Sequence, residues 1–284
     1  AGVRVVGPNS GGVLSMGQGL AASFLTFLDR PTEQLKAGPV AVVSQSGGLL
    51  SYLHNVAAGR GQGVGAAVST GNEADVTVAD AITAVAQVPG VRSITLVVET
   101  IRDGSAFVNA VRLAHDAGVR VAACHIGVSE RSSHMLATHT GALATDRRVF
   151  EGVCRSLGIA MAATPEEAFD VADVLAHLEP VSGDRIGVVT HSGGLAILLN
   201  DLAAQRDFHL PAPSDSLTRT VEPFMELGAI KNPLDMGAII GGPHRFASVV
   251  KAFVSEHDLV LAVTSAHPPA HTAGRVESLL EIDD

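Results

Sequence analysis

Apolar residues along this chain fall into short β-branched runs, each followed by a segment in which they recur every three or four positions. The runs at Val40 to Ser44, Gly63 to Ser69, Ser93 to Val98 and Arg120 to Ile126 predict buried strands, with a shorter one near Ile159 to Met161. The intervening spacing predicts helices over Gly48 to Ala58, Val76 to Val85, Ser105 to Ala117, Arg147 to Leu157 and Pro165 to His177. Thr164 is placed to cap the last of these, ahead of Pro165, Glu166 and Glu167 in a favourable first turn.

Before this block, Val3 to Val6 reads as a strand that ends in a loop, Gly7-Pro8-Asn9-Ser10-Gly11-Gly12. After it, Glu179-Pro180-Val181-Ser182-Gly183-Asp184 reads as a linker. Beyond the linker the pattern predicts a strand from Ile186, a helix to about Arg206, and a helix near Asp215 to Phe224. An Asn232-Pro233-Leu234-Asp235 turn, a helix near Pro243 to Ser255 and a strand from Leu259 follow. The expected divisions are therefore 1–36, 37–180 and 184–284. Alternating strands and helices predict α/β doubly wound, flavodoxin-like parallel-sheet domains, whose ligands sit beyond the carboxyl ends of the strands.

The chain repeats one of its elements. Val40 to Leu49 reads VAVVSQSGGL, and Ile186 to Leu195 reads IGVVTHSGGL. Each is a strand that turns at once into a helix, and such self-similarity indicates two copies of one unit. Gly47, Gly48, Gly193 and Gly194 lack a Cβ, so a ligand can approach the free N–H groups of the helix start. With the positive end of the helix dipole, each turn is a candidate anion seat, to which Ser46 and Ser192 add hydroxyls. Two seats facing one anion would offset about one elementary charge. Tight strand–helix packing explains either turn alone; the duplication favours a ligand.

Composition narrows the function. A formal charge of −10, no Trp and a single Tyr argue against a general nucleic-acid surface. Among 284 residues, 46% of them hydrophobic, no uninterrupted apolar run nears the ~20 needed to span a membrane. Cys124 and Cys154 have no metal-ligand or disulfide-framework spacing, so both read as reduced thiols in a cytoplasmic protein, and no metal site is expected. The opening AGVRVVGPNS has no initiator Met and no leader pattern, and reads as a start inside a domain; the second unit reads as truncated.

Candidate chemistry gathers at predicted strand ends. Gly127 to Asp146 is a long loop of small residues around Thr138-His139-Thr140-Gly141, leaving the edge that carries the first glycine turn. Glu99 closes the apolar strand at 93–98, where parallel sheets gather active-site groups, and suits either such a role or a solvated strand end. Asn72, Glu73 and Asp75 follow the second strand, and suit either a substrate-side role or a turn with a helix cap. His134 and His191 are further candidates that can equally be incidental.

On these residues the chain resembles the nucleoside-diphosphate-forming acyl-CoA synthetases, relatives of succinyl-CoA synthetase and ATP-citrate lyase. Gly7-Pro8-Asn9 is similar to the motif closing that family's CoA-binding domain, so 1–36 would be the C-terminal remnant of a Rossmann-like domain. VAVVSQSGGL resembles the start of its first flavodoxin-like domain, and THTGALA its phosphohistidine motif. VVTHSGGL and Asn232-Pro233-Leu234-Asp235 resemble the domain after it. The resemblance implies an acyl phosphate intermediate, with His139 carrying a phosphoryl group and Glu99 its partner. Ser46, Gly47, Gly48, Ser192, Gly193 and Gly194 would hold phosphate. Gly7, Pro8, Asn9, Asn72 and Glu73 would contact CoA or substrate.

It further implies CoA and phosphate as ligands, ATP or ADP with Mg on a separate ATP-grasp domain or subunit, a small carboxylic acid, and an oligomer. His125 stands where relatives often carry Lys, which bears on substrate choice or turnover. The competing readings are a non-catalytic acyl-CoA or phosphate sensor built on the same fold, and a serine hydrolase using Ser46, whose SQSGG lacks the first glycine of a nucleophile elbow.

Overall fold

The computed structural model describes residues 2–29, 35–129, 132, 145–225, 228–237, 243–264 and 269–281, in two units, Ala1–Glu179 and Pro180–Asp284. In the first unit two short strands, β1 (Gly12–Ser15) and β2 (Leu20–Ala22), precede five further strands of the same sheet. These are β3 (Val40–Ser44), β4 (Val64–Ser69), β5 (Ser93–Val98), β6 (Arg120–His125) and β7 (Ala160–Ala162). The order across the sheet is β2-β1-β4-β3-β5-β6-β7, and the last five pair in parallel. Counted from β3, that is the 2-1-3-4-5 winding of a flavodoxin-like sheet, as the alternation predicted.

Both faces of this sheet are covered, which is why its strands are apolar throughout rather than alternating. On one face α2 (Val78–Val85), α3 (Gly104–Asp116) and α4 (Arg147–Leu157) bury Ile82, Phe107, Val111 and Phe150 against Val43, Ile94 and Leu96. On the other, α1 (Gly47–Gly59) and α5 (Pro165–His177) bury Leu50, Leu53, Phe169 and Ala172 against Val40, Val42 and Val97. Each helix starts where the sequence supplies an acceptor: Thr77 and Asp80 form a reciprocal capping box for α2, and Thr164 caps α5 just ahead of Pro165.

The N-terminal segment differs from expectation in two ways. Val3 to Val6 is not a strand of the sheet. Val3 is 77% exposed, and the segment runs beside the 72–76 loop, with bonds from Val76 N to Val5 O (3.0 Å) and from Ala74 N to Gly7 O (2.9 Å). A run with no buried face has apolar residues but nothing to pack them on. Nor do residues 2–29 stand apart: β1 pairs antiparallel with β4 and extends the first sheet.

The second unit holds β8 (Ile186–Thr190), β9 (Leu234–Asp235) and β10 (Leu259–Val263), all parallel in the order β10-β8-β9. This second-first-third order opens the same winding as the first unit. Its helices are α6 (Gly193–Ala204), α7 (Asp215–Val221), α8 (Pro243–Val254) and α9 (Pro269–Leu280). Asn232 acts as a clasp: its Oδ1 accepts from Val188 N at 2.9 Å, and its Nδ2 donates to Ile186 O at 2.7 Å and Pro211 O at 3.0 Å.

Glycine packing makes the first fold prediction. A Cβ on Gly63 would overlap the Ala37 carbonyl, whereas one on Gly59, at the end of α1, would meet nothing within 4 Å. Gly63→Ala should therefore cost about 1–3 kcal/mol, and Gly59→Ala should stay within about 0.5 kcal/mol of wild type in denaturant melts. The thiols supply a second. Cys124 and Cys154 are buried, and burial pushes the Cys154 pKa up to about 12. Neither should react with a thiol reagent in the native protein at pH 8, and both should react once it is unfolded.

Candidate active site

The first glycine turn is built by its hydroxyls. Ser46 Oγ accepts from Leu49 N at 3.3 Å as the cap of α1, so its own O–H proton is left to donate elsewhere. Ser44 Oγ closes the turn by accepting from Ser46 N (3.0 Å) and donating to Ser46 O (2.9 Å). A Cβ on Gly47 would lie 3.0 Å from both the N and Cα of Gly11, so two stretches of backbone touch here and both positions need glycine. Gly48 has open space on the corresponding side, its nearest neighbour being Ser46 Oγ at 3.8 Å.

In the second unit Ser192 caps α6 by accepting from Leu195 N at 3.4 Å, and Thr190 Oγ1 accepts from Ser192 N at 3.3 Å. The repeat is thus one of hydrogen bonding as well as of letters. Its surroundings differ: a Cβ on Gly193 would lie 3.0 Å from Asp235 Oδ2, so this turn faces a carboxylate where the first faces a backbone.

Above the first turn is a cavity of about 220 Å³. Ser46, Gly47 and Gly48 form one side of it, Asn9, Ser10 and Gly11 another, Phe24 and Leu25 a third, and Gln45 and Glu99 the rest. Asn9 has a left-handed backbone (φ 58°) and donates from Nδ2 to Asn72 Oδ1 at 3.3 Å. Asn72 N in turn donates to Pro8 O at 2.8 Å, which draws the Gly7-Pro8-Asn9 loop and the Asn72-Glu73 loop together. Of the expected site residues, Asn9, Ser46, Gly47, Gly48 and Glu99 therefore share one cavity, with Gly7, Pro8 and Asn72 packed beside it.

Gln45 is the residue that sequence reasoning passed over. It is buried, and its side chain makes four hydrogen bonds: Nε2 to Glu73 Oε1 (3.0 Å) and Thr100 O (2.8 Å), and Oε1 from Glu99 N (2.6 Å) and Thr100 N (3.0 Å). It pins the end of β5, and with it Glu99, to the end of β3. The available signal was that the repeat breaks at this position, where the second copy has His191.

Glu73 lies beneath the site rather than in the cavity lining. Its Oε1 accepts from Gln45, from Thr70 Oγ1 and from Val78 N, each at 3.0 Å, and Arg102 Nε stands 3.7 Å from Oε2. Burial raises its pKa above the usual 4.5, against the opposing pull of those donors.

His125, at the end of β6, points Nε2 at Glu99 O (3.3 Å) and rests its ring 4.6 Å from that of Phe150. Burial lowers its pKa, so it is neutral at pH 7, unlike a Lys in its place. His134 and His139 lie outside the described residues. The chain returns at Thr145, whose N donates to Glu99 O at 3.4 Å and whose Oγ1 accepts from Ile101 N at 2.8 Å. Thr145 is thus held at the strand end that carries Glu99.

Residues 37–175 match the model of the succinyl-CoA ligase like flavodoxin domain. Across 85% of its length the chain is 31% identical to the alpha subunit of an ADP-forming acetate–CoA ligase I of Pyrococcus furiosus. By these matches the chain carries that domain and is a relative of the nucleoside-diphosphate-forming acyl-CoA synthetases. It spans 51% of that subunit, about half its length. It is also 29% identical, over 93% of its length and 38% of the relative's, to a trans-feruloyl-CoA synthase of an unknown prokaryotic organism. Among solved structures, a dinucleotide-forming acetyl-coenzyme A synthetase 1 of Ca. Korarchaeum cryptofilum in complex with phosphate and ADP superposes with a TM-score of 0.86 at 26% identity. It covers 99% of this chain and 61% of that one.

Gln45→Leu should cost on the order of 3 kcal/mol in denaturant melts, because the Glu99 and Thr100 amides lose a buried acceptor. Glu73 carries a pH signature. Its folded pKa is raised above 4.5, so its contribution to stability is fully present below pH 4.5 and is lost as pH rises through the folded value. The stability difference between Glu73→Gln and wild type should therefore shift in favour of the variant above pH 4.5, as read from the difference in Tm along a pH series.

Proposed function

We propose that this chain is the part of an acyl-CoA synthetase that carries the phosphoryl group between nucleotide and acid. The observation that carries the reading is the single cavity in which the α1 start at Ser46–Gly48, the Gly7-Pro8-Asn9 loop and Glu99 meet. In the thioester-forming direction, an ATP-grasp domain or subunit with its Mg²⁺ phosphorylates His139. A carboxylate oxygen of the acid attacks the phosphorus, the P–N bond breaks, and an acyl phosphate forms. The CoA sulfur, deprotonated, then adds to the acyl carbon and phosphate leaves with the C–O bonding pair. The reverse sequence makes ATP from acyl-CoA, phosphate and ADP.

Each residue has a physical task in that scheme. Ser46, Gly47 and Gly48 present a hydroxyl proton and helix-start amides to the phosphoryl oxygens. Ser192, Gly193 and Gly194 are a second phosphate-holding turn, tuned differently by Asp235. Glu99 fixes the tautomer of His139, leaving the other ring nitrogen nucleophilic. Asn9, with Gly7, Pro8, Asn72 and Glu73, shapes the side on which CoA and the acid arrive. The serine hydrolase alternative finds less support: among the described residues Ser46 Oγ is bonded as a helix cap to Leu49 N and to no imidazole.

The test is label transfer. With the nucleotide-binding partner supplied, γ-labelled ATP should give wild-type protein an acid-labile, base-stable label, and His139→Ala none. Glu99→Gln should slow labelling about 100-fold or more while leaving the fold intact by circular dichroism. Full labelling of His139→Ala would remove the histidine from the scheme.

A further inference from the structure

Likeness to the acyl-CoA synthetases leaves the acid unspecified, and the cavity contains an element that the phosphate chemistry does not use. Phe24 lines it while 80% exposed, although six of the chain's nine Phe are buried in the core. Its position is set by its neighbours. Ser23 Oγ donates to Gly11 O at 2.5 Å and accepts from Leu25 N at 3.2 Å, which ties the 23–25 turn to the same glycine that touches Gly47. Leu25 Cδ1 lies 3.0 Å from where a Cβ on Gly11 would stand, so its side chain is packed into the wall. An exposed aromatic on a turn tied to the wall of a cavity offers an apolar face to whatever enters that cavity.

We propose that Phe24 and Leu25 form the acyl-selecting wall of this cavity, and that the acid it takes is a monocarboxylate with an apolar, best an aromatic, chain. This rests on the proposed function, in which the carboxyl end of the acid meets the phosphoryl group at Ser46–Gly48. The volume of about 220 Å³ equals about seven waters, room for a phosphoryl group and a short chain whose ring lies over Phe24 at the mouth. Glu99 sets the sign of the selection: a carboxylate at the far end of a dicarboxylic acid would share the cavity with its charge and with an apolar wall.

Titration calorimetry of the intact protein with phenylacetate, acetate and succinate, each with and without inorganic phosphate, tests this. Phenylacetate should bind at least tenfold more tightly than acetate, about 1.4 kcal/mol, and succinate most weakly. Phe24→Ala should remove most of the preference for phenylacetate and Phe24→Tyr should keep it, while Phe208→Ala, an exposed ring in the other unit, should change nothing. With phosphate bound, equal affinities for acetate and phenylacetate, or tighter binding of succinate, or an unaltered preference in Phe24→Ala, would overturn this proposal alone. Failure of phosphate itself to bind would overturn the seat on which both proposals stand.

Discussion

Gly11 and Gly47 approach so closely that a Cβ on either would overlap the other's backbone, and the site of this fold depends on that contact. It presses the N-terminal loop onto the start of α1, so that Asn9, Ser10, Phe24 and Leu25 stand over an end of a helix that would otherwise face open solvent. The helix start contributes its amides and about half a positive charge, and the loop contributes walls. Neither makes a site alone. The sheet supplies the rest, because the ends of β3 and β5 are adjacent and Gln45 locks them together through bonds to Glu99, Thr100 and Glu73.

The two copies of the glycine turn are alike in hydrogen bonding and unlike in electrostatics. Both are capped by a serine that accepts from the leucine amide three residues on. Beside the first lies uncharged backbone; beside the second lies Asp235. A turn next to a carboxylate holds an anion less tightly than one beside neutral backbone. A duplicated element has thus kept its backbone chemistry while its neighbours diverged, with Gln45 and His191 marking the same divergence one residue before each cap.

Much of this was legible in the sequence. The β-branched runs gave the parallel strands nearly to the residue, because strands buried on both faces have a composition that little else shares. Caps such as Thr164 with Pro165 fixed helix starts, because an acceptor is needed there whatever the tertiary context. Less legible were features set by distant partners. Val3 to Val6 had the letters of a strand and no face to bury, and β1, which starts at the last residue of the loop read as Gly7 to Gly12, pairs with β4 some fifty residues away. Gln45 carried no signal of its own beyond differing from His191 in the repeat. Phe24 gave no periodic signal, since its place comes from the Ser23 turn rather than from a helix or strand face. The family motifs identified the candidate residues; the geometry then separated those in the cavity lining, such as Asn9 and Glu99, from Glu73 below it.

The account stands on the α1 turn being a phosphate seat, and a crystal structure of the protein grown with phosphate tests that most directly. A phosphate within hydrogen-bonding distance of Ser46 Oγ and the amide of Gly47 or Gly48, in the cavity shared with Asn9 and Glu99, is the predicted result. Clear density for that cavity with phosphate absent from it, or bound only elsewhere on the molecule, would contradict the account.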